Sequence, residues 1–442
     1  MSRTPVTAVF DIGKTNKKFF LFDQDLKEVY HTYTRLEAIP DEDGFPSEPV
    51  LPMREWMLET FKKALEFPEF EIQKLNFSGH GASFVHTDES GEPVTPLYDY
   101  LKPFPEELLE KFYSENGGKM AFCQQTSSPP LAMLNSGLQI YFLKHAKPEK
   151  FEKVKHCLHL PQFLSLIFTG QMISDYTSIG CHTGLWDFGK MDYHDWVRRE
   201  GIEPLLSPIL PGGSLLQTKP ELGSIPCGIG VHDSSGALLP YLKQEKNPFV
   251  LLSTGTWAIS INPFNKTPLT EAELNQDCLQ FLSISGDPIK ISRLFIGEEH
   301  KYQVEQMYNY WSLPLGTYKR LRFEKTLFKK VAQYPDKRIG FQYLKPQDYG
   351  LKKAEKSDWG SFPEFTEAYY TFIHELTDIQ VASLKLVLKG AEVDRIYVDG
   401  GFNANDIFLE MLRIKLPGKE IIPSDFPNGS ALGAAMLVNM NP

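Results

Sequence analysis

The first stretch with chemical potential is Val6–Lys18, in which a run of strand-forming residues brings Asp11 to a glycine turn. Gly13 and Thr15 in this turn, together with Lys18, offer backbone N–H, hydroxyl and ammonium donors. One carboxylate beside such donors suits a metal–phosphate site, because Mg²⁺ prefers oxygen ligands and phosphate oxygens accept hydrogen bonds. The exposed basic turn of a β-hairpin explains the same residues equally well. The stretch alone therefore leaves both interpretations open.

A P-loop does not explain this turn. Gly13-Lys14-Thr15 resembles the end of a Walker A loop, but that motif needs an earlier glycine at the position where Ala8 stands inside the predicted strand. No G-x-G-x-x-G opens a helix after a strand, which argues against a Rossmann dinucleotide site. No H-E-x-x-H pattern and no paired Cys/His spacing indicates zinc. Phosphate chemistry here would need another scaffold.

Three further turns carry polar groups of the same kind. Asp233, which follows His232 where a strand becomes a helix, could accept a proton from a substrate hydroxyl or cap the helix. Ser253–Thr256 could hold a phosphate through N–H and hydroxyl groups, or form an ordinary hairpin turn. Asp399–Gly401 could let a nucleotide approach the backbone, or be a turn that needs positive φ. Each turn has a structural explanation, but the four in this order favour phosphoryl transfer.

Size and charge limit the class of protein. With 442 residues, the chain is longer than one ordinary core, so two domains are expected. The formal net charge of −10 argues against nucleic acid or an anionic membrane as the main partner. The N-terminal residues lack a signal-peptide pattern, and no apolar run reaches membrane-spanning length. Five scattered cysteines without a C-x-x-C pair predict reduced thiols in a cytoplasmic protein.

Apolar periodicity places the four turns in two similar halves of the chain. The strand–turn–strand F-D-I-G-K-T-N-K-K near the N-terminus is echoed by L-S-T-G-T-W-A-I-S, which hints at two related domains facing one another. The Pro- and Gly-rich segment Pro204–Pro226 predicts an irregular connector and the domain boundary. The pattern of Asn262–Gly350 is mixed, apart from a helix at Gly297–Trp311. Other predicted elements are strands Val6–Ile12, Lys18–Phe22, Glu28–Thr34, Lys74–Ser78, Phe249–Ser253, Ala258–Ile261 and Arg395–Val398, and helices Arg54–Glu66, Phe365–Lys389 and Asp406–Lys415.

The order of the motifs resembles that of a known family. Asp11–Lys18 resembles the first phosphate motif of the FGGY carbohydrate kinases, with acid, glycine, small hydroxyl and distal lysine. Gly230–Ala237 resembles the catalytic-base segment of that family, especially its rhamnulokinase and fuculokinase branch. Ser253–Trp257 is similar to the second phosphate motif, and Asp399–Asn403 to the adenosine motif. Ala431–Ala435 resembles the closing helix, whose small residues allow close backbone packing.

Weaker similarity links these motifs, so that the resemblance spans nearly the whole chain. Ser78–Gly81, followed by Asp88–Pro93, resembles the sugar-side hairpin of the first domain, and Leu166–Asp187 resembles the T-G…D-Y-T segment.

Three features depart from the family pattern. Asp399 replaces the first of three glycines, Tyr98–Lys102 lacks the Trp and Arg of W-x-D-x-R, and Lys14 stands where Thr or Ala is common. Nucleotide preference and sugar identity therefore stay open. Lys14 is either an extra phosphate contact or a solvated turn lysine.

The resemblance implies an α/β fold with two RNase H-like domains of the actin/hexokinase/sugar-kinase type and an active-site cleft between them. Residues 1–226 would carry the sugar side and the first phosphate motif, and residues 227–442 the catalytic base, second phosphate motif and adenosine motif. The implied activity is ATP- and Mg-dependent phosphorylation of a ketose hydroxyl. Rhamnulose and fuculose, phosphorylated at O1, are favoured, and pentuloses stay open.

The resemblance also implies roles for single residues. Asp233 would be the general base, Asp11 would organise Mg²⁺, and the remaining residues would bind nucleotide or sugar. The expected nucleotide contacts are Gly13, Thr15, Lys18, Thr254, Gly255, Thr256, Gly400, Gly401 and Asn403, and the expected sugar contacts are His80, Asp99, Asp175 and His232. The alternative is an actin-like ATPase, or a sensor of sugar or nucleotide derived from a kinase. A homodimer is compatible with either.

Overall fold

The structure is a computed structural model that describes residues 3–424 and 426–440, and it is a mixed α/β fold. The strands of the first 244 residues are β1 (Thr4–Ile12), β2 (Lys17–Phe22), β3 (Glu28–Thr34), β4 (Ile39–Pro40), β5 (Pro46–Glu48), β6 (Phe70–Gly79), β7 (Phe84–Thr87), β8 (Leu97–Tyr98), β9 (His156–His159), β10 (Ser174–Asp175), β11 (Trp186–Asp187), β12 (Asp192–Tyr193), β13 (Ile209–Leu210), β14 (Leu215–Gln217), β15 (Pro226–Gly228) and β16 (Val231–His232). The helices of this part are α1 (Val50–Leu65), α2 (Glu106–Glu115), α3 (Lys119–Gln125), α4 (Ser136–Ala146), α5 (Pro148–Phe151), α6 (Leu160–Thr169), α7 (Tyr176–Ile179), α8 (Asp195–Arg199) and α9 (Asp233–Gln244).

The remaining residues form a second set of strands and helices. The strands are β17 (Phe249–Thr254), β18 (Ala258–Asn262), β19 (Cys278–Leu282), β20 (Pro288–Leu294), β21 (Arg395–Gly400) and β22 (Glu420–Pro423). The helices are α10 (Glu271–Asn275), α11 (Ile296–Trp311), α12 (Lys325–Ala332), α13 (Phe365–Leu388), α14 (Asp406–Lys415) and α15 (Gly429–Asn439). The chain groups into two compact units. Unit 1 contains Met1–Gln244, Gln280–Pro288 and Pro427–Pro442, and unit 2 contains Glu245–Leu279 and Ile289–Phe426.

Unit 1 is built on a sheet of strand order β14-β15-β6-β1-β2-β3, with β16 also paired to β6. The strand β2 pairs antiparallel with both β1 and β3, whereas β6 pairs in parallel with the other edge of β1. The apolar run of β1 is nearly continuous because both faces of the strand are covered. Phe10 packs into a core with α1 and α6, and Val9 packs on the other face against α9 and α15. The three strands predicted at Val6–Ile12, Lys18–Phe22 and Glu28–Thr34 are thus confirmed, and they form an antiparallel meander.

The helices α9 and α15 approach each other closely beneath this sheet. A Cβ atom on Gly433 of α15 would lie 1.9 Å from the carbonyl oxygen of Gly236 in α9. The small residues in the predicted closing helix therefore allow backbone contact, as expected.

Unit 2 is built on a sheet with the same arrangement, of order β19-β20-β18-β17-β21-β22. The strand β18 pairs antiparallel with both β17 and β20, while β21 pairs in parallel with β17 and β22 in parallel with β21. A long buried face of α13 packs in the core of this unit, together with α11 and α14. Two sheets, each with an antiparallel meander followed by parallel strands, agree with the predicted pair of RNase H-like domains.

The predicted domain boundary falls inside unit 1. The sequence predicts an irregular connector at Pro204–Pro226, whereas this segment contains β13, β14 and the start of β15. The strand β14 pairs with β15, and β15 pairs in parallel with β6, so the segment forms an edge of the sheet. Unit 1 then continues through α9, beyond the predicted boundary between residues 226 and 227. Composition alone could not reveal these pairings, because they join residues far apart in the chain.

Candidate active site

Asp11 lies near the end of β1, opposite Lys18 of β2 and Ser78 of β6. Strand alternation puts its side chain on the face of Val9, which is the face covered by α9. The pKa of the Asp11 carboxyl is raised to about 6, chiefly by burial and in part by the charge of Asp233, while Ser78 and Lys18 act in the opposite direction. Its negative charge is thus incompletely compensated within unit 1, and a bound cation would stabilise it.

Asp233 is the first residue of α9 and follows directly on β16. Its side chain is 32% exposed. Oδ1 accepts hydrogen bonds from the backbone N–H of Ser234 at 2.6 Å and from the Ser234 hydroxyl at 3.2 Å. A partly exposed carboxylate at a strand–helix junction can reach the hydroxyl of a small molecule and accept its proton.

His232 contacts Asp233 from the protein interior. Its Nε2 lies 3.2 Å from Oδ1 of Asp233 and 3.3 Å from Sγ of Cys181, and its Nδ1 lies 3.2 Å from Oγ of Ser235. Burial lowers the pKa of His232, although Asp233 and Asp175 act in the opposite direction. A neutral imidazole that donates from Nε2 can orient the Asp233 carboxylate. Since His232 is 4% exposed, a direct sugar contact stays a prediction.

Gly81 is a position where this packing requires glycine. A Cβ atom there would lie 2.9 Å from Nε2 of His232 and 3.0 Å from Sγ of Cys181. A larger residue would displace the imidazole beside Asp233.

Asp175, one of the predicted sugar contacts, forms several hydrogen bonds within unit 1. It is fully buried and caps α7, where its oxygens accept hydrogen bonds from the backbone N–H groups of Thr177 and Ser178. The Thr177 hydroxyl and Nε2 of Gln162 also donate to this carboxylate. The Thr177 hydroxyl in turn accepts from the backbone N–H of His232 at 3.0 Å. The carboxylate is saturated by its own chain and supports the position of His232 through Thr177. The predicted sugar contact of Asp175 stays a prediction.

A charged network surrounds the turn after β1. The ammonium of Lys14 lies 2.9 Å from Oδ2 of Asp99 and 3.4 Å from Oε1 of Glu48. The same Oε1 lies 2.8 Å from Nε2 of His80. Lys14 also sits over the ring of Tyr100, 4.7 Å from its centroid. The network therefore joins the two predicted sugar contacts, His80 and Asp99, through a lysine and a glutamate.

Glu48 is the centre of this network, and sequence reasoning missed it. Its other oxygen, Oε2, lies 2.9 Å from Nζ of Lys17, whose side chain is 2% exposed. Lys17 also donates to the carbonyl oxygens of Gly13 and Lys14, at 2.9 and 3.1 Å. Burial alone would raise the pKa of Glu48, but His80 and the two lysines outweigh it and hold the pKa far below its ordinary value. No sequence motif marks Glu48, which ends the short strand β5 within a Pro- and acid-rich stretch of sequence.

The network and Asp233 share one region of unit 1. The charge of Asp233 acts on the Tyr100 hydroxyl, and that of His80 acts on the His232 ring. Thr15 is exposed at the tip of the turn, and Gly13 N–H is bonded to the carbonyl oxygen of Asn16. The structure thus brings Asp11, His80, Asp99, His232 and Asp233 together, with Gly13, Thr15 and Lys18 beside them.

Unit 2 holds the other predicted phosphate turn. The hydroxyl of Thr254 donates to the carbonyl oxygen of Asp399 and accepts from the N–H of Phe402 at 3.0 Å. Thr254 is 2% exposed, and its hydroxyl joins the end of β17 to the turn after β21. Its predicted phosphate contact stays a prediction. Gly255 and Thr256, in contrast, are exposed at the tip of the turn. The N–H of Gly255 is bonded to the carbonyl oxygen of Trp257 at 2.8 Å, so the exposed hydroxyl of Thr256 is the side-chain group that this tip offers to a phosphate.

The predicted adenosine turn packs directly on Thr254. Gly400 has φ +80° and ψ −151°, and a Cβ atom on it would lie 1.8 Å from the carbonyl oxygen of Thr254. Only glycine readily adopts this backbone conformation. Gly401 is exposed, and Asn403 donates its Nδ2 to the carbonyl oxygen of Ser424. Its Oδ1 is buried and has no hydrogen-bond partner in the described part of the chain.

The carboxylates of unit 1 fit a magnesium ion of the kind that accompanies nucleotides. Among the described residues, no group of three His, Cys, Asp or Glu side chains could hold a metal. Mg²⁺ in nucleotide sites is usually held by one or two carboxylates together with phosphate oxygens. Asp11, whose pKa is raised by burial and by Asp233, offers the uncompensated charge that such an ion needs. The donor set suits Mg²⁺ with a phosphate and does not suit a closed metal centre.

Family models account for nearly the whole chain. The N-terminal domain model of the FGGY family of carbohydrate kinases matches residues 6–213, and the model described as carbohydrate kinase FGGY, C-terminal domain, matches residues 246–442. The chain belongs to the FGGY family of carbohydrate kinases. The resemblance read from its motifs is thereby confirmed.

Curated relatives of this FGGY protein include several rhamnulokinases. The rhamnulokinase of Pectobacterium atrosepticum is 26% identical over 209 residues, which is 45% of this chain and 41% of that protein. The rhamnulokinase of Oceanobacillus iheyensis is 23% identical over 202 residues, 42% of this chain and 40% of that protein. In these alignments, the chain thus spans less than half the length of its curated relatives.

Solved structures show the same fold. A carbohydrate kinase from Novosphingobium aromaticivorans has a TM-score of 0.80 and 24% identity, covering 99% of this chain and 92% of that chain. A ligand-bound xylulose kinase from Lactobacillus acidophilus has a TM-score of 0.75 and 14% identity, covering 99% and 89%. The predicted α/β fold of the actin/hexokinase/sugar-kinase type, with two domains, is confirmed. Within the described residues, no helix is both long and apolar enough to span a membrane.

Proposed function

We propose that this FGGY protein is a sugar kinase that transfers the γ-phosphoryl group of ATP to a hydroxyl of a ketose. The observation that carries the proposal is the pair of carboxylates in unit 1. Asp233 is partly exposed at the start of α9, and Asp11 lies near enough for the two charges to interact. Phosphoryl transfer needs one group to accept the hydroxyl proton and one site for a cation that neutralises phosphate charge.

Asp233 accepts the proton of the attacking sugar hydroxyl in this proposal. The hydroxyl oxygen forms a bond to the γ-phosphorus, the bond from that phosphorus to the β,γ-bridging oxygen breaks, and ADP leaves. His232 keeps the carboxylate oriented through its Nε2, 3.2 Å from Oδ1. Asp11 would hold Mg²⁺, which when bound neutralises phosphate charge. Lys18 beside Asp11 and the exposed Thr15 would bind phosphate oxygens from unit 1.

Unit 2 would supply the remaining nucleotide contacts. Gly255 and Thr256 are exposed, and the Thr256 hydroxyl suits the β- and γ-phosphates, whereas the N–H of Gly255 is bonded to the carbonyl oxygen of Trp257 at 2.8 Å. Gly401 exposes backbone beside Asn403 for the adenosine. Thr254 takes a supporting role, because its hydroxyl is bonded to Asp399.

The sugar that we propose is a 6-deoxy ketose, rhamnulose or fuculose, phosphorylated at O1. The support comes from the Gly230–Ala237 segment and from the rhamnulokinases among the curated relatives. A pentulose such as xylulose is the competing substrate class. His80 and Asp99 would contact the sugar hydroxyls.

Steady-state kinetics of the Asp233→Asn variant test this function. ADP release is measured with rhamnulose, fuculose and xylulose, and without sugar. We expect sugar-dependent release from the wild type and a fall in kcat of about 10²–10⁴-fold in the variant, the usual contribution of a general base. Asp25→Asn, at an exposed aspartate of unit 1, is the matched control and should leave kcat unchanged.

Three outcomes would contradict the proposal. Full turnover by Asp233→Asn would remove Asp233 as the base. Hydrolysis of ATP at the same rate with and without each sugar would favour an actin-like ATPase, and nucleotide binding without turnover would favour a sensor.

A further inference from the structure

Lys14 occupies a site in the structure that neither sequence interpretation anticipated. If Lys14 were a solvated turn lysine, its ammonium would have no fixed partner. If it were a phosphate contact, its ammonium would be unpaired until the phosphate bound. The ammonium instead lies 2.9 Å from Asp99 Oδ2 and 3.4 Å from Glu48 Oε1, over the ring of Tyr100. Its side chain is 33% exposed, so one side of it faces solvent.

The lysine completes a chain of polar contacts between two segments that are distant in sequence. His80 follows β6, and Asp99 follows β8. The links run from His80 Nε2 to Glu48 Oε1 at 2.8 Å, from the same oxygen to Lys14 at 3.4 Å, and from Lys14 to Asp99 at 2.9 Å. Removing Lys14 would break the connection in its middle.

The lysine is also held in place by the buried part of the network. Lys17 is bonded to Glu48 Oε2 and to the carbonyl oxygen of Lys14, so the backbone of the turn is tied to the same glutamate. Although burial opposes it, the carboxylates of Glu48 and Asp99 raise the pKa of Lys14, which keeps the ammonium charged. The ion pairs with these two carboxylates also offset the positive charge of Lys14, which weakens its attraction for a phosphate.

We propose that Lys14 is a positioning residue for the sugar, which sets the separation and orientation of His80 and Asp99. This inference rests on the proposed function, because it takes these two residues as the sugar contacts. Pre-positioned polar groups bind a sugar without ordering themselves first, and small displacements weaken them strongly. The same lysine has no direct part in phosphoryl transfer.

The test is the Lys14→Met variant, which keeps the length and apolar stem of the side chain and removes its charge. With the sugar that the wild type prefers among rhamnulose, fuculose and xylulose, we expect the KM for sugar to rise about tenfold, since one charge-assisted hydrogen bond is lost. The KM for ATP should stay within about twofold. Lys14→Arg keeps the charge and should recover most of the loss, whereas a purely structural role would not separate the two KM values.

Lys27→Met is the matched control, because Lys27 is exposed in the next turn of the same meander. It should change neither KM. Thermal unfolding of each variant shows whether the fold is intact. A rise in the KM for ATP with the KM for sugar unchanged would overturn the inference and make Lys14 a phosphate contact.

Calorimetric titration of each sugar without ATP separates this inference from the proposed function. Weaker sugar binding by Lys14→Met supports the inference even where the wild type shows no turnover, an outcome that would refute the kinase alone. Equal sugar binding by wild type and variant, beside normal wild-type turnover, would refute the inference alone. A wild type that binds none of the three sugars would refute both.

Discussion

Two adjacent glycines in the adenosine turn of unit 2 should respond very differently to alanine. Gly400 has positive φ, and a Cβ atom on it would lie 1.8 Å from the carbonyl oxygen of Thr254. At Gly401, the nearest such contact is 3.8 Å from the same oxygen, and its φ is not positive. The pair therefore tests the backbone geometry of this turn while the chemical change stays the same.

The expected loss for Gly400→Ala can be worked from these contacts. A non-glycine residue in this backbone region costs about 1–3 kcal/mol. Relief of the clash must move the strand end, which weakens the Thr254 hydroxyl bond to Asp399 and costs about 1 kcal/mol more. The total is about 2–4 kcal/mol. For a unit of this size, such a loss lowers the unfolding midpoint by roughly 4–16 °C.

Thermal unfolding followed by calorimetry checks this expectation. Because the two units need not unfold together, the midpoint of the transition at lower temperature is compared between variant and wild type. Gly401→Ala is the control and should shift the midpoint by less than about 2 °C. The KM for ATP should rise in Gly400→Ala if the turn lines the adenosine. Equal shifts in both variants would refute the reasoning, since it depends on the geometry of Gly400 alone.

Two further predictions concern the charges of unit 1. The pKa of Asp11 is raised to about 6, so the folded state binds its proton more tightly than the unfolded state, and stability falls as pH rises from about 4 to about 6. Asp11→Asn should therefore gain roughly 1–3 kcal/mol of unfolding free energy at pH 7.5 while sugar phosphorylation is lost, and a urea titration showing lower stability would contradict this. The pKa of Glu48 is lowered, so its contribution is present above the ordinary glutamate pKa and is lost as pH falls below it. Glu48→Gln should lower the free energy of unfolding by about 3–5 kcal/mol at pH 7, because buried Lys17 loses its charged partner. The difference in unfolding free energy from wild type should shrink in acid. A difference that does not depend on pH would refute the ionic explanation.

Much of the fold could be predicted from local pattern. The apolar run of β1, the helical spacing of α13 and the turn glycines identify the elements and the points where strands end. Asp11, Asp233 and the turn 253–256 stand at such ends, where a strand delivers polar groups to the edge of a sheet. For this reason, the candidate site could be located from the sequence before its geometry was known.

The partners of the individual side chains could not be predicted in the same way. Asp175 and Thr254 have the residue types of ligand contacts, but each is buried and bonded to its own chain. Glu48 carries no motif, yet it binds Lys17 and His80.

The sequence by itself determined the elements, the order of the motifs and the identity of the chemically active residue types, because these depend on spacing along the chain. The tertiary structure alone decided which of those residues are exposed and which are bonded internally. That decision depends on pairing between distant segments, such as β6 beside β1, which brings His80 next to the turn of Lys14. Burial and hydrogen-bond partners arise only when such segments meet in space, and they decide whether a carboxylate or hydroxyl is left for a ligand.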